Sequence, residues 1–150
     1  MKAVIQRVSE SSVAIKDDII SKINYGLLIL LGIEDLDTKE DSEWLANKIS
    51  SLRIFKDQDG IMNNSVIDVD GDIIVVSQFT LYAKTKKGNR PSYIKAAKPD
   101  YSIPLYKQFI DDLSTAIGKE IHTGEFGANM QVSLTNDGPV TIIIDTKRKE

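Results

Sequence analysis

Ser77-Gln78-Phe79-Thr80 follows the apolar run Ile73-Ile-Val-Val76 and puts two hydroxyls and an amide on four residues. A strand holds such side chains rigidly while its end opens on a cleft, so this segment is the first candidate for chemistry. Its side chains supply hydroxyl and amide donors that could face that cleft. A strand that turns polar as it leaves the core is the plainer account of the same residues.

Directly behind it, the stretch from Ile73 to Pro99 holds Lys84, Lys86, Lys87, Arg90, Lys95 and Lys98 and no acidic residue. Thr85–Ser92 is loop-like and Tyr93 adds an aromatic ring. A local cationic excess in an acidic chain points to an anionic ligand such as a phosphate backbone, against the simpler reading of a solvated loop. A third segment, Asn136-Asp-Gly-Pro-Val-Thr141, reads as a turn between strands. About 5–6% of X–Pro bonds are cis, so the residues alone give Gly138-Pro139 no functional role. Asp111-Asp112 reads as a solvated helix face, and His122, with no acid or nucleophile paired to it, as structural or solvent-facing.

The inventory excludes more than it includes. There is no cysteine and one histidine, which removes thiolate nucleophiles, iron–sulfur clusters, Cys-ligated zinc and multi-His metal sites. No G-x-G-x-x-G, Walker A, H-E-x-x-H or G-x-S-x-G is present. No cofactor and no metal are expected. The net charge of −3 gives no global case for nucleic acid. Gly26–Ile33, the longest apolar run, is too short to cross a bilayer, and the polar opening Met1–Arg7 does not resemble a signal peptide. The expectation is a cytoplasmic chain of one domain, residues 1–150, without membrane contact.

The elements that must position these residues are mostly strands. Lys2–Ser9, Ser12–Lys16, Ile19–Asn24, Ser65–Val69 and Asp72–Phe79 have β-type patterns, with a turn at Asp17-Asp18. Gly26–Ile33 reads as a strand covered on both faces. Thr38 with Asp41 resembles a capping arrangement for a helix reaching Leu52. A second helix is predicted over Ser102–Ile117, with Leu105, Phe109, Leu113 and Ile117 as its buried stripe and Gly118 ending it. Glu120–Thr123, Met130–Thr135 and Val140–Asp145 close the chain as strands. The fold class is α/β, mixed and strand-rich, a single compact domain with two main helices.

Along its whole length the chain resembles the D-aminoacyl-tRNA deacylase family in its common bacterial and eukaryotic form. The resemblance rests on Ala3-Val-Ile-Gln-Arg-Val8, Gly26-Leu-Leu, Leu52-Arg-Ile-Phe55, Ser77-Gln-Phe-Thr-Leu81 and Lys87-Gly-Asn-Arg-Pro-Ser92. It continues through Leu105-Tyr106, Thr123-Gly-Glu-Phe-Gly-Ala-Asn-Met130 and Asn136-Asp-Gly-Pro-Val-Thr141. Two positions depart: Ile61 where the family often has lysine, and Tyr93 where it usually has phenylalanine.

The resemblance implies a homodimer with sites at the subunit interface. Ser77, Gln78, Phe79 and Thr80 are its catalytic segment, and Phe126 and Met130 bind substrate with Gly138 and Pro139. Gly138-Pro139 is expected to be cis and to enter the partner's pocket, held in orientation by Arg7. Lys84, Lys86, Lys87 and Arg90 are the tRNA-binding candidates. The implied reaction is hydrolysis of the ester between a D-amino acid and the terminal adenosine of tRNA. Thr80 as a covalent nucleophile needs a base, and none is visible, so a positioned water is preferred. Excluding L side chains against a backbone wall makes glycyl-tRNA, mischarged on other tRNAs, a substrate too. The alternative is a non-catalytic nucleic-acid-binding dimer.

Overall fold

The computed structural model describes residues 1–150. A six-stranded mixed sheet is built on β1 (Lys2–Ile15), which carries a partner on each edge. Along one edge run β3 (Gly26–Gly32) and then β2 (Asp18–Ile23), both antiparallel to it; along the other runs β8 (Gln131–Asp145). β6 (Asp72–Ser77) joins β3 in parallel, and β7 (His122–Thr123) joins β6 in parallel. A small hairpin of β4 (Phe55–Lys56) and β5 (Met62–Asn64) stands apart.

Alternation sorts the sheet residues between two cores. Ala3, Ile5, Leu27, Ile29, Leu31, Ile73 and Val75 face the helices and meet Leu45, Ile49, Leu105, Phe109 and Leu113. Leu28, Ile74 and Val76 belong to a second cluster with Val8, Val13 and Ile23. β3 and β6 are therefore buried on both faces, as the unbroken apolar run Gly26–Ile33 predicts. Gly26 lets β6 approach, since an added Cβ there would overlap the Asp72 carbonyl.

Helix α1 (Lys39–Ser50) starts as expected: Asp41 Oδ2 accepts from the Thr38 backbone N–H at 2.9 Å and lies 3.2 Å from its hydroxyl. Helix α2 (Pro99–Ile117) begins three residues before Ser102. Proline is favoured in a first turn, and Ser102 instead donates to the Lys98 carbonyl at 3.1 Å. Asp112 lies half-buried between the helices, where it accepts from Ser42 at 2.6 Å and Gln108 at 2.7 Å, so only Asp111 is fully solvated.

Three other expectations change. Ser65–Val69 is a turn, because Asp68 Oδ2 captures the Ser65 N–H at 2.7 Å and hydroxyl at 2.8 Å. The β1–β2 turn falls on Lys16 and Asp17, both left-handed, as a two-residue hairpin loop requires. The two closing strands form one strand, β8, paired to β1 on both sides of a bulge. No helix is long and apolar enough to cross a membrane.

Candidate active site

The parallel strands β3 and β6 end side by side, with Leu31 opposite Ser77. The Gln78 N–H donates to the Leu31 carbonyl at 2.7 Å, and the chain then turns into a short 3-10 helix, Phe79–Tyr82. Above these strand ends lies a cleft of about 580 Å³. Ser77, Gln78 and Phe79 form one wall, the segment Phe126–Met130 the opposite wall, and Ser102 and Tyr106 of α2 the floor, with Tyr93, Ala96 and Ala97 at the side. Ala97 is held there by its N–H, which donates to the Ile33 carbonyl at 2.9 Å.

Of the sequence candidates, Ser77, Gln78, Phe79, Phe126 and Met130 thus share one cavity. Thr80 adjoins it without lining it; its hydroxyl accepts a hydrogen bond from the Gln78 side-chain amide. No lining residue carries a charged side chain. Burial pushes the Tyr106 phenol up to about 12, so it stays protonated near neutral pH. The cavity therefore offers donors, carbonyls and apolar walls, and no base. Phe79 is 57% exposed at the mouth, its ring edge-on to Tyr93 with centroids 5.1 Å apart.

The basic candidates stand outside. Lys84 and Ser92 exchange backbone hydrogen bonds at 2.8 and 3.0 Å, closing a small hairpin that presents Lys86, Lys87 and Arg90 to solvent. Lys84 is exposed at its base, and Tyr93 on the cleft follows it immediately.

Gly138 and Pro139 lie away from the cleft and are exposed. Gln6 opposes Thr141 and Val8 opposes Asn136, so the intervening residues of β8 bulge out opposite Arg7. The bulge is closed by Val140 N–H on Asn136 Oδ1 at 2.9 Å and Asn136 Nδ2 on Thr141 Oγ1 at 2.8 Å. Its Gly138-Pro139 peptide is cis. Gly138 has φ +138°, and a Cβ there would come within 2.9 Å of Val140 Cγ2 and 3.1 Å of Arg7 Nη2. Arg7, 2% exposed, lies beneath it.

Sequence reading left Ser102 and Tyr106 out of the site. Their signal was a serine and a phenol four residues apart on an otherwise apolar helix stripe. The Gly127–Asn129 part of the wall has no periodicity to find.

Comparison with known proteins places the chain in one family. Residues 4–145 match the family described as D-Tyr-tRNA(Tyr) deacylase. The D-aminoacyl-tRNA deacylases of Bacteroides fragilis (strain YCH46) and Flavobacterium psychrophilum are 63% and 64% identical, over all of this chain and all of theirs. The solved structure of c-Myc DNA Unwinding Element Binding Protein is 40% identical, covers 97% of this chain and 98% of its own, and superposes with TM-score 0.90. A structure described as that of a probable eukaryotic D-amino acid tRNA deacylase shares the fold at TM-score 0.82 and 17% identity, over 95% of this chain and 97% of its own.

Proposed function

The chain belongs to the D-Tyr-tRNA(Tyr) deacylase family and is a hydrolase, a D-aminoacyl-tRNA deacylase; from that premise we propose how its residues divide the work. The substrate ester sits at the lip of the cleft between Ser77–Thr80 and Phe126–Met130. Water adds to the acyl carbon, the bond to the ribose oxygen breaks, and that oxygen leaves with a proton as free D-amino acid and tRNA separate.

The observation that carries this reading is a charge-free cleft beside the start of a 3-10 turn. The first N–H groups of a helical turn have no partner within it, which supports an oxyanion-holding role for those of Phe79 and Thr80 with the Gln78 amide. Nothing in the cleft can deprotonate Thr80, which favours a positioned water over a covalent intermediate. The 2′-hydroxyl next to the ester relays the protons. Neither a cofactor nor a metal enters this scheme. Phe126 and Met130 supply apolar contact to the bound end of the substrate, and Lys84, Lys86, Lys87 and Arg90 hold tRNA phosphates.

Chirality is read by a second copy of the chain. Leu30, Val4 and Ile143 lie side by side across β3, β1 and β8, and Ile143 is 72% exposed. The outer edge of β8 has no strand partner over its whole length. An apolar row beside a long open edge favours burial against a symmetry-related copy. In that homodimer Gly138-Pro139 of one subunit reaches the other's cleft, its carbonyls facing the substrate α-amino group. The wall excludes L side chains and leaves glycyl-tRNA as a substrate. Acting on tRNA places the protein in the cytoplasm.

Purified protein should hydrolyse D-tyrosyl-tRNA and spare L-tyrosyl-tRNA, at a rate that chelator leaves unchanged. Thr80→Ala should keep turnover above the spontaneous rate. Equal D and L rates would overturn the chirality reading, and complete loss in Thr80→Ala would restore the covalent route. A second reading, non-catalytic nucleic-acid binding through the exposed Lys84–Ser92 hairpin, predicts tRNA binding without turnover.

A further inference from the structure

Tyr106 is a buried phenol on a helix face it shares with Leu105, Phe109 and Leu113 and, one turn before it, Ser102. Its hydroxyl donates to the Val75 carbonyl at 3.0 Å. Val75 lies two residues before Ser77, on the strand that carries the catalytic wall. The same carbonyl accepts the Gly124 N–H at 3.3 Å, where the opposite wall leaves β7. The Tyr106 ring also meets Phe126 of that wall edge-on, with centroids 5.7 Å apart. One side chain on the cleft floor therefore touches both walls, through its oxygen and through its ring. No other side chain of α2 makes a hydrogen bond to β6 or to the 124–130 segment.

We propose that Tyr106 is a positioning residue that sets the separation of the two cleft walls, and with it the geometry in which the ester is attacked. This rests on the deacylase reading of the cleft. Phenylalanine would fill the same volume, so packing alone does not call for the hydroxyl. Burying a phenol is tolerated because its O–H has a partner, and here that partner is the backbone of the catalytic strand. Without the bond, only the short pairing of Ile74 and Val75 with His122 and Thr123 and the 3.3 Å Gly124 contact tie β6 to the other wall, so the wall carrying Phe79 and Thr80 is held less firmly against the wall carrying Phe126 and Met130. Catalysis by positioned donors is sensitive to such drift, with about 100-fold lost for an ångström of misplacement.

The test pairs Tyr106→Phe with Tyr101→Phe. Tyr101 belongs to the same helix and donates to the Asp37 carbonyl at 2.5 Å, outside the cleft. Tyr106→Phe should lower kcat on D-tyrosyl-tRNA at least 10-fold with KM changed less than about threefold, because the phosphates are held elsewhere. Adding Phe126→Leu to it should cost less than the two single effects multiplied, since both act on the separation of the same two walls. Tyr101→Phe should leave kcat unchanged. Equal losses in the two tyrosine variants, or an unchanged kcat in Tyr106→Phe, would overturn the proposal.

Amide exchange reads the walls without turnover. Tyr106→Phe should speed exchange about 10-fold at Gly124, Gln78 and Leu81, whose N–H groups are hydrogen-bonded in the two walls, and Tyr101→Phe should not. Wild-type protein that fails to hydrolyse the ester removes the functional reading. Unchanged exchange in Tyr106→Phe removes the role of the tyrosine.

Discussion

Arg7 Nε donates to the Asp137 carbonyl at 3.0 Å and lies 3.2 Å from Asp137 Oδ2, with the guanidinium almost wholly enclosed. Its Nη1 donates to the Ile54 carbonyl at 2.6 Å. One rigid fork therefore ties the residue before Gly138-Pro139 to the segment leading into β4. The bulge on β8 has a fixed direction because the arginine beneath it cannot turn away from either carbonyl. The proposed reading of a substrate against the backbone of this bulge requires that kind of support.

Arg7→Lys should expose this dependence. Lysine keeps the charge but cannot reach both carbonyls with planar geometry, leaving a buried acceptor unpaired at about 1–3 kcal/mol. Thermal unfolding should move down by several degrees. The ratio of D to L hydrolysis should fall by more than the rate on the D ester. A variant that loses stability and keeps full discrimination would make Arg7 a purely structural residue.

How far the sequence reveals this arrangement depends on the distance over which each signal acts. Ser77–Thr80 stand out because three polar residues follow at the end of an apolar strand, and α2 because Leu105, Phe109 and Leu113 recur at helical spacing. Tyr106 sits on that stripe and reads as core; only its bond to Val75 distinguishes it. Arg7 and Asp137 are 130 residues apart, and no spacing rule joins them. Asn136–Thr141 carries turn residues, which serve equally in a bulge; the choice is made by β1 pairing on both sides. β4 and β5 are too short for alternation to register.

Asp41 and Lys147 should confer stability within a bounded pH range. Burial draws the Asp41 carboxyl upward, but hydrogen bonds from Lys147, Thr38 and Thr146 outweigh it and hold the group well below the usual carboxylate range. The contribution is thus fully present above the unfolded value of about 4 and is lost as pH falls below it. Lys147 Nζ, 2.7 Å from Asp41 Oδ2, is raised despite its own desolvation, so its share is lost only as pH climbs past about 10.4. Lys147 is 35% exposed, and after allowing for solvent screening the pair contributes about 1 kcal/mol. Asp41→Asn should lower the melting temperature at pH 7, and the difference from wild type should shrink steadily as pH falls from about 4 toward 2. A constant difference across that range would assign the loss to the cap at Thr38.

Binding should weaken with salt through the hairpin after Lys84. Lys86→Glu with Lys87→Glu should raise KM for D-tyrosyl-tRNA and leave kcat at saturation close to wild type, since both residues lie outside the cleft. Each phosphate contact removed reduces the log–log salt slope by about 0.7–0.9. A slope that does not change would make these lysines a solvated loop and shift the tRNA contact elsewhere.

Complementation decides whether Gly138-Pro139 serves its own cleft or its partner's. One variant carries Ala128→Trp, which blocks the cleft; the other replaces Gly138 by Ala, which strains φ +138° and crowds Val140 and Arg7. Each homodimer should be inactive or indiscriminate. In a mixed dimer with the loop acting in trans, one site combines the blocked cleft with the altered loop and is dead. The other combines the open cleft of the Gly138→Ala subunit with the intact loop of the Ala128→Trp subunit, and should work normally. Mixing therefore restores about half of the wild-type rate per dimer, with full D specificity, because subunits that meet symmetrically exchange the same patch. If the loop served its own cleft, both mixed sites would hold one lesion and nothing would return. Verified heterodimers that regain no D-specific activity would reduce the bulge to a feature of β8 and leave chirality to the cleft walls alone.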